Sequence, residues 1–273
     1  MLIDTHCHLD AAEFDDDRDC VIRAAQEAGV KSILIPAVQA SNFDAVRALA
    51  HAIPGGAYAL GIHPMYVRHA RDEDLLILRE RVIQCLDDPR FVAIGEIGLD
   101  FFVPDLSAGD AREQQERFYA FQLDLAVEFG LPVVLHVRRA QDVLLKYLRK
   151  RPRIGGFAHA FNGSLQQAQQ FVDLGFALGM GGAMTYTRAL QIRRIALEMP
   201  LHSLVLETDA PDIPPAWLVD DRRTTPDQVA GIARSLAQLR GIDVNGLVRI
   251  TAENAFRVCP RLRQTLTSSV LPQ

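Results

Sequence analysis

Two histidines stand one residue apart in the opening stretch MLIDTHCHLD, His6 and His8, directly after the apolar pair Leu2 and Ile3. Side chains two apart on a barrel strand share a face, so both imidazoles are predicted to point one way and Cys7 the other, toward the helix layer. Further polar residues fall at the ends of apolar runs: Glu96 in GEIGLD, His136 in VVLHVRR, His159 in FAHAF and Asp209 in LETDAP. Simple alternation puts Glu96 in register with Ile94, a carboxylate where an apolar run should stop. One such residue alone is ordinarily a turn residue or a satisfied core polar group. Four imidazoles and two carboxylates aimed into one mouth would repel or lie unsatisfied unless a cation held them, and that mixture suits Zn, Mn or a similar divalent ion. Six ligands exceed what one tetrahedral zinc requires. Two ions about 3.5–4 Å apart, bridged by a carboxylate and a hydroxide, would use them all and could activate a water for in-line displacement. Glu96 is the expected bridge, because its strand lies between those supplying the other ligands.

The elements that must position these residues follow from the apolar pattern. Short runs rich in branched residues cover 1–6, 31–38, 57–63, 91–97, 132–137, 154–160, 176–182 and 203–208, with amphipathic segments between them such as 17–28, 41–52, 111–129 and 165–174. Gly29, Gly130 and Gly175 supply helix stop signals. Strands alternating with helices predict an α/β fold, a (β/α)8 TIM barrel with the metal site at the C-terminal rim of its strands. A doubly wound open sheet is the alternative, but no GxGxxG or GxxxxGK follows the early strands. The expected organisation is one barrel domain over residues 1–259 and a short, loose polar tail over 260–273. Two long connections, 100–110 and the proline-rich APDIPPAWLVDDRRTTP at 210–226, are placed on the active-site face.

Composition narrows the partners. The chain has 29 Lys and Arg against 34 Asp and Glu, a net charge of -5, which argues against broad attraction to a polyanion or an anionic membrane. Any nucleic-acid contact must use local positive charge, for which Arg138, Arg139, Arg188, Arg222 and Arg223 are the rim candidates. The run RKRPR at 149–153 ends a helix before the sixth strand and is expected on the opposite face, solvated. Phe101, Phe102, Phe161, Tyr186 and Trp217 are the candidate base-stacking aromatics, few enough to suit a short single-stranded end better than a tracked duplex. No signal-peptide pattern opens the chain and no apolar run reaches the roughly 18 residues of a membrane span, so a cytoplasmic protein is expected. The four cysteines, Cys7, Cys20, Cys85 and Cys259, are scattered and expected to be reduced thiols, mostly buried.

The stretches DTHCHLD, GIHP, GEIGLDF, LHVRRA, HAFNGS and LETDAP, in that order, resemble the TatD family of metal-dependent deoxyribonucleases within the amidohydrolase superfamily, from Met1 to about AENAFR at 252–257. GGAMTYTRA and TDAPDIP are most similar to its YjjV-like branch. The resemblance implies a first metal held by His6, His8, Glu96 and Asp209, and a second held by Glu96, His136 and His159, the ions being Zn, Mn, Mg or Co. It implies that Asp209 orients or deprotonates the nucleophilic water, making Asp209 and Glu96 the catalytic pair, and that His63 lies near the scissile phosphate. Arg138, beside His136, would suit a phosphate oxygen, and Arg223 is a further substrate-binding candidate. Where the family commonly reads HCFSGS and RNxP, this chain has Ala160 and Asn162, and Arg223, Thr224, Thr225 and Pro226. These departures touch substrate contacts and no metal ligand.

The leading expectation is a two-metal phosphodiesterase, a 3′-5′ exonuclease on single-stranded DNA, working as a monomer. Hydrolysis of a small amide, ester or lactone is the rival, and an aminoacyl-tRNA deacylase a further one. Many amidohydrolases bridge their metals with a carboxylated lysine; neither the fourth nor the fifth strand has a lysine, which favours the nuclease branch. A non-catalytic binding barrel would have no use for a complete set of ligands.

Overall fold

The computed structural model describes residues 1–219 and 223–267. Its eight strands are β1 (Leu2–Asp4), β2 (Val30–Pro36), β3 (Gly56–Leu60), β4 (Phe91–Asp100), β5 (Val133–Arg138), β6 (Gly156–His159), β7 (Phe176–Met180) and β8 (Leu204–Leu206). They form one parallel sheet in sequence order. The first and last strands meet through Thr5 N donating to Leu206 O at 3.1 Å, Asp209 N to His6 O at 2.9 Å and His8 N to Ala210 O at 2.8 Å. The expected TIM barrel is therefore the fold.

The helices between them are α1 (Arg18–Glu27), α2 (Phe43–Ala52), α3 (Asp72–Cys85), α4 (Gly109–Phe129), α5 (Gln141–Leu148), α6 (Leu165–Asp173) and α7 (Leu190–Glu198), followed after β8 by α8 (Val229–Arg240), α9 (Val244–Val258) and α10 (Leu262–Thr267). Gly130 ends α4 with φ 63°, the left-handed cap its position predicted. The strands bury two cores. Outward residues such as Ile35, Tyr58, Leu135 and Leu178 pack under the helices. Inward residues Leu34, Val92, Val134, Phe157, Ala177 and Val205 pack on each other and on Phe256, Cys259 and Leu262, so α9 and α10 plug the barrel end away from the site.

That plug corrects the expected loose tail: its described part is helical, with Leu262 and Thr265 fully buried. A leucine amid polar neighbours was a weak signal, and the barrel's open end supplies the apolar surface that orders it.

A second correction concerns β4. Ile94, Ile97 and Leu99 all pack outward, so alternation does not run unbroken through them. The pairing to β5 shifts between Ile94 and Ile97, where the Gly95–Glu96 peptide is cis. Glu96 consequently faces the interior, opposite to Ile94 and in line with Asp100. In β1 the same thing happens on a smaller scale: Ile3 is inward, regular strand stops at Asp4, and Cys7 is outward and fully buried. His6 and His8 are thereby turned inward, as predicted.

Candidate metal centre

All six expected ligands reach one rim. Glu96, 1 % exposed, presents its two carboxylate oxygens to different imidazoles. Oε2 lies 3.0 Å from His6 Nε2 and 3.2 Å from His8 Nε2. Oε1 lies 2.9 Å from His136 Nδ1 and 3.3 Å from His63 Nε2. Asp209 Oδ1 closes the first side at 3.5 Å from both His6 Nε2 and His159 Nε2. Two ligands about 2.0–2.2 Å from one ion at tetrahedral angles lie about 3.3 Å apart, the spacing these donors show. Glu96 Oε2 is buried and makes no hydrogen bond despite its two nearby imidazoles, so the nitrogens and the oxygen address a common point. The residues present thus fit divalent ions.

The donor atoms fall into three groups: His6, His8 and Asp209; His6, Glu96 and His159; and His63, Glu96 and His136. His159 stands with the first histidines, its ring stacked on His6 at 3.6 Å between centroids. His63 takes the place beside His136 that the resemblance implies for His159. Tautomers separate their roles. Met65 N donates to His63 Nδ1 at 3.1 Å, so a neutral His63 carries its proton on Nε2 and offers a donor to the mouth. His136 has Asp100 Oδ2 at 3.1 Å behind Nε2, and His159 has Glu207 Oε1 at 3.2 Å behind Nδ1. At His136 the carboxylate holds the proton on the rear nitrogen and leaves the forward one bare for a metal; at His159 Glu207 is a charged neighbour of Nδ1 without a formed hydrogen bond.

Asp100 and Glu207 escaped the reading of the sequence. Each lies at even spacing from an expected ligand, Asp100 four residues after Glu96 and Glu207 two before Asp209, which was the available signal. Buried amides on α4 clamp the backbone at Asp100 and just before His63. Gln115 accepts from Asp100 N at 2.9 Å, and Gln122 accepts from Ile62 N at 2.7 Å just before His63. Across the β8–β1 seam, Asp4 accepts from Thr208 Oγ1 at 2.6 Å and from Thr208 N at 3.0 Å. Asp209 itself sits at φ 60°, a conformation the seam and the donor cluster hold in place.

Charges in the cluster balance. Burial opposes ionisation of Glu96, but the His63 and His6 imidazoles outweigh it and hold the carboxyl well below its usual range. Asp209 is held at about 2 against burial by His159, His6 and His8. Burial lowers His6, and lowers His63 to about 4. It is overcome at His159, where Asp209 and Glu207 raise the ring well above its ordinary value, and at His8, raised to about 9 by Glu96 and Asp209. Protons on these rings balance the carboxylates; a divalent ion would supply that charge instead and release them.

The outer residues divide. Arg138 stacks on Phe102 at 3.9 Å, with Nη1 3.5 Å from Asp100 Oδ2, and Arg139 lies 4.7 Å from the same ring. Arg223 is engaged elsewhere than expected: Asp17 takes its two terminal nitrogens at 2.8 and 2.7 Å and Glu13 O accepts at 2.7 Å, fastening the last long loop to the first. Arg222 lies outside the described residues. Phe161 is fully buried against Phe171 and is a core residue rather than a stacking platform. Phe101 lies under Arg112, and Trp217 donates to Gln228 at 2.7 Å. In the RKRPR run, Arg151 is tied to Asp124 of α4 at 2.6 Å.

A family model described as TatD related DNase matches residues 3–260. The Escherichia coli (strain K12) protein named uncharacterized metal-dependent hydrolase YjjV is 39% identical over 258 residues, covering 93% of this chain and 96% of that one. Human deoxyribonuclease TATDN3 is 31% identical over 271 residues, covering 97% of each. The crystal structure of E. coli YjjV, described as a TatD homolog, superposes with a TM-score of 0.87 at 38% identity, over 95% of this chain and 98% of that one.

Proposed function

The chain belongs to the TatD related DNase family, and on that premise we propose that it is a divalent-metal-dependent hydrolase of phosphodiester bonds, acting as a 3′-5′ exonuclease on single-stranded DNA. The observation that carries this reading is the division of Glu96, with Oε2 toward His6 and His8 and Oε1 toward His136 and His63. A carboxylate so divided is suited to bridge two ions. His6, His8, Glu96 and Asp209 would hold one; Glu96 and His136 would hold the other, with His159 as its further ligand by the family resemblance, although the His159 ring stands here beside His6 and His63 stands beside His136. Bound there, such a pair supplies an acidified water and neutralises charge developing on the phosphoryl oxygens.

The side chains do the rest. Asp209, ionised with a pKa of about 2, orients the attacking water and accepts its proton. His63, neutral at pH 7 and donating from Nε2, holds a phosphate oxygen. Arg138, held by Phe102 and Asp100, presents a preset guanidinium to the same group. Residues 1–259 act as one catalytic domain. No helix among the described residues is long and apolar enough to cross a membrane, and we place the enzyme in the cytoplasm as a monomer.

The test is incubation of chelator-stripped protein with end-labelled single-stranded DNA and Mg, Mn, Co or Zn in turn. Stepwise shortening from the 3′ end is expected. Turnover of a carboxylic ester or amide panel, with no DNA cleavage under any ion, would overturn the proposal.

A further inference from the structure

An open cleft of about 590 Å³ lies between the loop after β7 and the loop after β8. Its walls include Tyr186 and Arg188 on one side and Asp212, Ile213 and Pro214 on the other. It adjoins the metal centre, because Asp212 N donates to Asp209 O at 2.7 Å. The two loops are pressed together at its base: a Cβ on Gly182 would stand 2.1 Å from Ile213 O. The mechanism above leaves these residues unused.

Their chemistry suits a planar heterocycle. The Arg188 guanidinium lies 5.6 Å from the Tyr186 ring centre, giving a layered aromatic and cationic face on which a base can stack. Ile213 and Pro214 offer an apolar opposite wall. Asp212, exposed on that wall, can accept from an exocyclic amine at a base edge. The volume falls within the roughly 300–1,000 Å³ of small-molecule sites, enough for one nucleotide.

We propose that this cleft is a nucleobase subsite, in which Tyr186 and Arg188 stack the base flanking the scissile phosphate and Asp212 favours bases bearing an amino group. This rests on the nuclease reading and adds to it a preference for adenine, cytosine or guanine over thymine at one position.

The experiment uses the manganese-loaded full-length chain and single-stranded oligonucleotides that carry either a base or an abasic sugar at the terminal or the penultimate position. Loss of the base at one of these positions should lower kcat/KM by about 5- to 100-fold. Tyr186→Ala should bring the base-to-abasic ratio toward one while Tyr186→Phe keeps it, and Asp212→Asn should remove the discrimination against thymine. Fluorescence anisotropy of the same labelled oligonucleotides on chelated protein should show the same order in Kd. Equal rates on base and abasic substrates at both positions, or an unchanged ratio in a folded Tyr186→Ala protein, would overturn the subsite and leave the nuclease reading standing. No cleavage of any oligonucleotide under any ion would overturn the reading beneath it, and the subsite with it.

Discussion

Asp100 and His136 form a carboxylate–imidazole pair at 3.1 Å that aims the far ring nitrogen at Glu96. Asp100 is fully buried and held at about 2, since His136 and the Phe102 and Val103 amides outweigh its burial. A permanent negative charge behind the ring fixes the tautomer and raises the basicity of Nδ1. The pair is also what couples β4 to β5 at the rim, on strands whose register places Gly98 opposite His136.

Asp100→Asn should therefore weaken metal binding by about 10- to 100-fold while leaving the fold intact. Competition with a calibrated chelator reads the affinity, and circular dichroism the fold. An unchanged affinity would show that Asp100 acts on the loop alone.

Glu96→Ala removes the group facing both sides of the cluster. Elemental analysis of the purified variant should find neither ion retained, with the barrel's circular dichroism preserved. Retention of one full equivalent would mean that Glu96 serves a single ion and bridges nothing.

The barrel was legible in the sequence because its signal is periodic: each strand is a short branched run, and glycine marks several helix ends. The cluster of candidate donors was legible because its residues sit where those runs stop. Asp100 and Glu207 were hidden since nothing in a one-dimensional pattern says which imidazole a carboxylate stands behind. Glu96 was assigned to the right rim through the wrong alternation, because a register shift beside a cis peptide is not written in residue types. Phe161 was misplaced for a related reason: aromaticity marks candidates for a rim, while packing against Phe171 decided where that side chain went; the pairing of Arg223 with Asp17 was equally invisible in residue types.

The other end of the barrel offers a pH test independent of the metals. Burial would raise the Asp88 carboxyl, but His51, the Arg90 amide, Tyr58 and Arg47 hold it at about 2. Its folded pKa is below its unfolded one, so its contribution is complete above about pH 4 and is lost as pH falls toward 2. From 3.8 to about 2 the shift corresponds to about 2 kcal/mol. In chelator, denaturant titrations of the wild type should lose that much more stability between pH 5 and about pH 2 than those of Asp88→Asn. Parallel pH profiles would refute the assignment.

Gly179 tests whether Glu207 positions His159. A Cβ at this position in β7 would stand 2.0 Å from Glu207 Oε2, inside any real contact, so Gly179→Ala must displace the carboxylate. Glu207 accepts from Ala160 N at 2.6 Å and backs His159 at 3.2 Å, so its displacement frees both the ring and the turn after it. His159 Nδ1 is buried and makes no hydrogen bond among the described residues, so Glu207 is its charged neighbour there. The ring should then lose its preferred tautomer, and metal affinity should fall by about 10- to 100-fold. Glu207→Gln, which keeps the volume and removes the charge, separates the two causes. If the charge matters, Glu207→Gln loses affinity as well, and its pH profile of metal binding moves because only Asp209, and no longer Glu207 beside it, raises the His159 ring. If Gly179→Ala alone loses affinity, packing positions the ring and the carboxylate's charge does not.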